Sequence, residues 1–77
     1  MGLKRTVAKN VKRLRLERGL TQEALSALAD INRNYTGMIE RGERSPTVDT
    51  LEKIAKAFGI DPVALLTAGT GNDQTTS

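Results

Sequence analysis

The segment Thr21–Gly42, TQEALSALADINRNYTGMIERG, is rich in side chains that hydrogen-bond rather than react: Gln22, Asn32, Arg33, Asn34 and Tyr35. Amides and guanidinium groups offer paired donors and acceptors in a plane. The groups that make and break covalent bonds are missing. With no Cys and no His, the chain lacks thiol nucleophiles, imidazole bases, zinc fingers and disulfides. Its carboxylates are scattered, and it has no other general base. At 77 residues it can bury only a modest core and has no room for a deep, dry pocket. No enzyme is expected, and no cofactor or metal.

The surrounding apolar residues set the geometry of this segment. Thr21 can cap a helix whose apolar stripe is Leu25, Leu28 and Ala29. Asp30 then interrupts, Ile31 is the next apolar anchor, and Asn32 is a natural cap for a further helix running to about Arg41, closed by Gly42. Two short amphipathic helices joined by a tight turn, in a chain of net charge +3, point to a helix-turn-helix that lays its second helix in a DNA major groove. The charge is uneven. The first 44 residues hold ten Lys or Arg against five acids, and the remaining 33 hold two against four. A basic half suits phosphates, although a Lys-rich solvated helix surface would look the same.

Upstream, Val7, Val11 and Leu14 place a helix from about Lys4 to Arg18, ended by Gly19. Leu16 lies off that face, either simply exposed or on a partner surface. Downstream of the loop at 43–46, Thr47 caps a helix with an expected face of Val48, Leu51, Ile54, Ala55 and Phe58, stopped by Gly59. Asp61 and Pro62 open a short last helix to about Leu66. With 38% hydrophobic but only 3% aromatic residues, the expected fold is an all-α, five-helix aliphatic bundle over residues 3–66. The sequence TAGTGNDQTTS at 67–77 is too polar to offset its ordering entropy and reads as a flexible tail. No apolar run approaches the roughly 20 residues that span a bilayer, and the basic N-terminus has no signal-peptide pattern, so a soluble, cytoplasmic protein is expected.

Many positions lie in register with a known pattern. They are Arg15 four residues before Gly19, Leu20-Thr21-Gln22-Glu23, Leu25, Ala29, Ile31, Ile39-Glu40-Arg41-Gly42-Glu43-Arg44, Ser45-Pro46-Thr47, and the run from Leu51 to Gly59. Over residues 3–66 the chain resembles the phage-repressor/Cro-type helix-turn-helix family, the XRE-like or lambda-repressor-like group. Two subgroups look closest: stand-alone repressors of phages and mobile elements, and the controller proteins of restriction-modification systems, whose recognition helices have an Arg-x-Tyr pattern similar to Arg33-Asn34-Tyr35.

The resemblance implies a site. Gln22, at the start of helix two, would dock on the sugar-phosphate backbone or read a flanking base. Asn32, Arg33, Asn34, Gly37 and Met38 occupy outward positions of helix three. A guanidinium such as Arg33 can bond guanine O6 and N7 together, with a phosphate clamp as its alternative. Asn34 suits adenine N6 and N7 or a phosphate equally. Tyr35 would bond a phosphate, pack on a thymine methyl, or rest against helix two. Gly37 would permit close approach to base edges, and Met38 would touch a thymine methyl or cover the helix edge. Arg41 and Arg44 would meet phosphates at the exit loop or remain solvated, while Lys9, Lys12 and Arg13 add steering.

In the family, an Arg of helix one pairs with a Glu near the end of helix three. Both are present, so a buried Arg15–Glu40 ion pair is expected, and removing one partner should cost about 3–5 kcal/mol. Ser26, Asp30 and Thr36 depart from the family's usual Ala, Gly and larger aliphatic residue, which suggests a looser seam between helices two and three. One such module contacts few base pairs, so a homodimer on a palindromic operator is expected, joined through Phe58, Ile60, Val63, Leu65 and Leu66. The resulting expectation is a sequence-specific regulator of transcription on double-stranded DNA, bacterial or phage-encoded and acting at its own promoter too, with no small-molecule ligand and no membrane partner. The alternative is an interaction module such as an antitoxin that binds a toxin and DNA.

Overall fold

One backbone device ends four successive helices. At each end the chain makes a left-handed turn, and two amides beyond the helix reach back to its last carbonyls. In a computed structural model that describes residues 2–68, the helices are α1 (Leu3–Glu17), α2 (Gln22–Ala29), α3 (Tyr35–Glu40), α4 (Val48–Phe58) and α5 (Val63–Leu66). Glycine makes the turn after α1, α3 and α4. After α2 it is Asp30, at φ 58° and ψ 48°, whose short polar side chain tolerates this region better than most. The Asp30 amide donates to the Ala27 carbonyl at 3.2 Å and the Ile31 amide to the Ser26 carbonyl at 3.0 Å. Helix starts are also built from side chains: Thr21 accepts from the Ala24 amide and Thr47 from the Thr50 amide.

Within the described residues every element is helical, and no helix is long and apolar enough to cross a membrane. α2 packs on α4 and α3, and α1 on α5 and α3. The core between them is Val7 and Val11 of α1, Leu25 and Ala29 of α2, Ile39 of α3, Ile54, Ala55 and Phe58 of α4, and Leu65 of α5. Leu25, Ile39, Ile54 and Leu65 are wholly buried, and each such side chain contributes about 1.5–3 kcal/mol.

Several sequence expectations change here. α3 begins at Tyr35 rather than directly after Asn32, because residues 33 and 34 form a turn. Leu28 is 60% exposed: the buried arc of α2 runs through Leu25, Ala29 and Ser26, and Leu28 lies about 60° beyond it. Val48, in the first turn of α4, is likewise exposed. Phe58 and Leu65, expected between two copies, lie in the monomer's own core, Phe58 at the end of α4 and Leu65 in α5, which packs on α1. Order extends at least to Thr67, whose hydroxyl donates to the Val63 carbonyl. The rest of the expected tail, 69–77, lies outside the described residues.

The α2–α3 seam also differs from expectation. Ser26 and Thr36 are both fully buried, and their hydroxyl oxygens are 2.7 Å apart. The small polar residues replace an apolar contact with a hydrogen bond. We expect Ser26→Ala alone to lose about 1–3 kcal/mol by stranding the Thr36 hydroxyl, and the Ser26→Ala/Thr36→Val double variant to lose less than the two single changes summed. Urea unfolding of the four proteins checks this; additive losses would contradict it.

Candidate nucleic-acid interface

The Thr21 cap fixes Gln22 as the first residue of α2, and from there its side chain crosses to the end of α3. Its Nε2 donates to Glu40 Oε1 at 3.1 Å. Arg15 of α1 approaches the same carboxylate, donating from Nε to Oε2 at 2.7 Å and from Nη2 to Oε1 at 3.0 Å. Its Nη1 donates to the Leu20 carbonyl at 2.8 Å. The side chains of Arg15 and Glu40 are only 10% and 3% exposed. Chiefly through these hydrogen bonds, Glu40 raises the Arg15 pKa further above its ordinary value, against the opposing effect of burial. Arg15 therefore stays charged.

Gln22 passes directly over Gly37, which is buried rather than outward-facing. A Cβ built on Gly37 would lie 3.0 Å from Gln22 Oε1 and 3.0 Å from Arg41 Nη1. The missing side chain makes room for Gln22 and Arg41 rather than for an approaching base, which corrects the expected role of Gly37.

Arg33 and Asn34 are exposed in the turn that enters α3. Asn32 shapes that turn: its Oδ1 accepts from the Asn34 amide at 2.9 Å, and its carbonyl accepts from the Tyr35 amide at 2.9 Å. Asn32 is thus an anchor of the turn three residues before the helix proper. Tyr35 and Met38 are half-buried. The Arg44 guanidinium carbon sits 5.8 Å from the centre of the Tyr35 ring, within range of a cation–π attraction. Arg41 pairs with Glu43 at 2.9 Å.

Beside Arg41 opens a groove of about 520 Å³, lined among others by Lys4, Arg5, Lys9 and Lys12 of α1 and by Glu40 and Arg41. It carries five cationic side chains against one carboxylate. The structure thus brings Gln22 and Arg41 together over Gly37 and Arg44 onto Tyr35, while Arg33 and Asn34 stand exposed in the turn before α3 and Met38 is half-buried within it.

Two structural residues had gone unnoticed in the sequence. Asn10 is buried on the Val7–Leu14 face and donates from Nδ2 to the carbonyls of Leu65 at 2.9 Å and Thr67 at 3.1 Å, holding the end of α5. An amide on an apolar stripe must find such partners, and that was its signal. Arg18 donates to the Phe58 carbonyl at 2.9 Å and stacks 5.0 Å above the Phe58 ring. An Arg before a helix-ending Gly carries no comparable mark.

Comparison with known proteins supports the fold and the family. The helix-turn-helix (HTH_3) family model matches residues 11–65. An uncharacterised HTH-type transcriptional regulator, y4dJ of Sinorhizobium fredii, is 43% identical over 67 residues, covering 87% of each chain. The control protein C.SmaI of Serratia marcescens is 39% identical over 75 residues, covering 96% of this chain and 89% of its own. Among solved structures, the restriction-modification controller protein C.Esp1396I, a tetramer in complex with its natural 35 base-pair operator, superposes with a TM-score of 0.75. It is 35% identical, with 84% of this chain and 86% of that one covered. The chain belongs to the helix-turn-helix family.

Gly37→Ala isolates the Gln22 platform. The added methyl meets only side-chain atoms of Gln22 and Arg41, so the fold should hold. The gain in helix propensity of up to about 1 kcal/mol is opposed by the weakened Gln22–Glu40 hydrogen bond, and urea stability should change by no more than about 1 kcal/mol. Affinity for duplex DNA, measured by fluorescence anisotropy, should fall as Gln22 and Arg41 are displaced. Unchanged affinity would show that their placement is immaterial.

Proposed function

We propose that this protein is a sequence-specific transcriptional regulator that binds double-stranded DNA as a homodimer, through the turn and first residues of α3, at inverted half-sites that include one in its own promoter. The observation that carries this reading is the exposed Arg33–Asn34 pair. It sits at the entry to a helix that is fixed from behind by Glu40, Arg15 and Gln22, in a family whose members include named transcriptional regulators and controllers. Arg33 and Asn34 supply base-edge contacts; Gln22, Tyr35, Arg41 and Arg44 hold phosphates; Met38 covers the edge of the groove. Phosphate contacts set register and affinity, while base contacts set specificity.

A dimer is supported by the apolar corner at the end of the chain's described part. Val63 is 62% exposed, with Ile60 and Leu66 half-buried beside it. Phe58 and Leu65 would support that corner from within rather than touch a partner. The controller protein C.Esp1396I is a tetramer on its operator, and two-fold pairing doubles the number of base pairs read. Regulation of this kind places the protein in the cytoplasm. No observation favours the antitoxin alternative.

Arg33→Ala tests the reading. On a duplex selected for tight binding it should weaken affinity by about 5- to 150-fold, the range of 1–3 kcal/mol for one guanine-reading side chain. On random duplexes the change should be much smaller. Equal losses on both would make Arg33 a phosphate clamp, and a wild-type protein that binds selected and random duplexes alike would overturn sequence-specific function.

A further inference from the structure

Arg41 has the chemistry of a phosphate ligand, but another group already occupies it. Its Nε and Nη2 donate to the two oxygens of Glu43 at 2.9 and 3.2 Å, using the paired N–H edge with which a guanidinium grips carboxylate or phosphate. The remaining nitrogen, Nη1, lies near Gly37 of α3, 3.0 Å from where a Cβ would stand there.

The backbone brings the acid there. After α3 the chain reverses at Gly42, at φ 76°, a conformation that costs glycine little. The Glu43 amide then donates to the Met38 carbonyl at 2.8 Å and the Gly42 amide to the Ile39 carbonyl at 3.0 Å. This closed turn sets Glu43 beside Arg41 only two residues on. Both side chains are 55% exposed, so the pair is open to an incoming ligand. Arg41 lowers the Glu43 carboxyl pKa, mainly by these hydrogen bonds; like any exposed carboxylate it is anionic at neutral pH.

We infer that Glu43 is a built-in stand-in for a DNA phosphate: it holds the paired edge of Arg41 in the free protein, and a duplex must displace it to use Arg41. This rests on the reading of the chain as a DNA-binding protein. Every duplex must break the same two Arg41–Glu43 hydrogen bonds, so Glu43 lowers affinity for every duplex by the same factor, whatever the sequence. On a surface where Lys4, Arg5, Lys9 and Lys12 line the adjoining groove, such a competitor limits unspecific retention on DNA, which is dominated by phosphate contacts.

The test is a cycle on the full chain: wild type, Glu43→Gln, Arg41→Gln and the double variant, titrated by fluorescence anisotropy with a random duplex and with a duplex enriched by selection. Both positions are exposed, and matching urea midpoints establish that the variants are folded. Glu43→Gln should bind both duplexes about two- to fivefold more tightly, the range of an exposed ion pair. Its plot of log affinity against log salt should be steeper by up to about 0.9, one phosphate's worth. In the Arg41→Gln background the gain should vanish. Unchanged or weaker binding by Glu43→Gln would overturn the inference, as would an equal gain without Arg41, which would make Glu43 a general negative charge. A wild-type protein with no preference for the selected duplex sinks only the sequence-specific reading, because the effect of Glu43 is read on the random duplex as well.

Discussion

Glu40 brings three helices to one carboxylate. Its oxygens accept from Arg15 of α1 and Gln22 of α2, while its backbone belongs to α3. Ionised groups buried in this way contribute little net stability, because desolvation offsets most of the attraction; losing one partner is what costs about 3–5 kcal/mol. The value of the arrangement lies in geometry. α3 is six residues long, too short to hold its own orientation, and the carboxylate near its C-terminal end is clamped from both sides by planar donors.

The remaining seams serve the same end by smaller means. The buried Ser26–Thr36 hydrogen bond fixes how α2 lies on α3. Gly37 lets the Gln22 side chain lie flat on α3, so a residue of α2 becomes part of the surface next to the recognition turn. Asn32 then folds that turn onto its own backbone through its Oδ1, with Arg33 and Asn34 exposed on it. A core of nine mostly aliphatic side chains suffices for so small a scaffold because the polar contacts set orientation.

The helices were legible because their ends are chemically marked: Thr21 and Thr47 as caps, Gly19, Gly42 and Gly59 beyond the ends, and Asp30 accepting a left-handed turn that glycine usually fills. The Arg15–Glu40 pairing came from resemblance, since 25 residues of separation carry no local signal. The errors fall where tertiary packing decides. Spacing alone could not tell that the inner arc of α2 runs toward Ser26 instead of Leu28. It also could not tell that α5 lies down on α1 and takes Leu65 inside. Gly37 was assigned to the groove because a helical glycine implies close approach; the approaching group proved to be Gln22 of the same chain. Glu43 gave no sign in sequence, because its role depends on a turn that folds it back two residues.

The central claim is that this scaffold presents Arg33 and its neighbours to read a particular DNA sequence. Selection of bound duplexes from a random pool, followed by sequencing, tests it most directly. The account predicts enrichment of one short motif repeated in inverted orientation, with half-site centres about 34–36 Å apart or a multiple of that distance. A bound pool with no enriched sequence would contradict it.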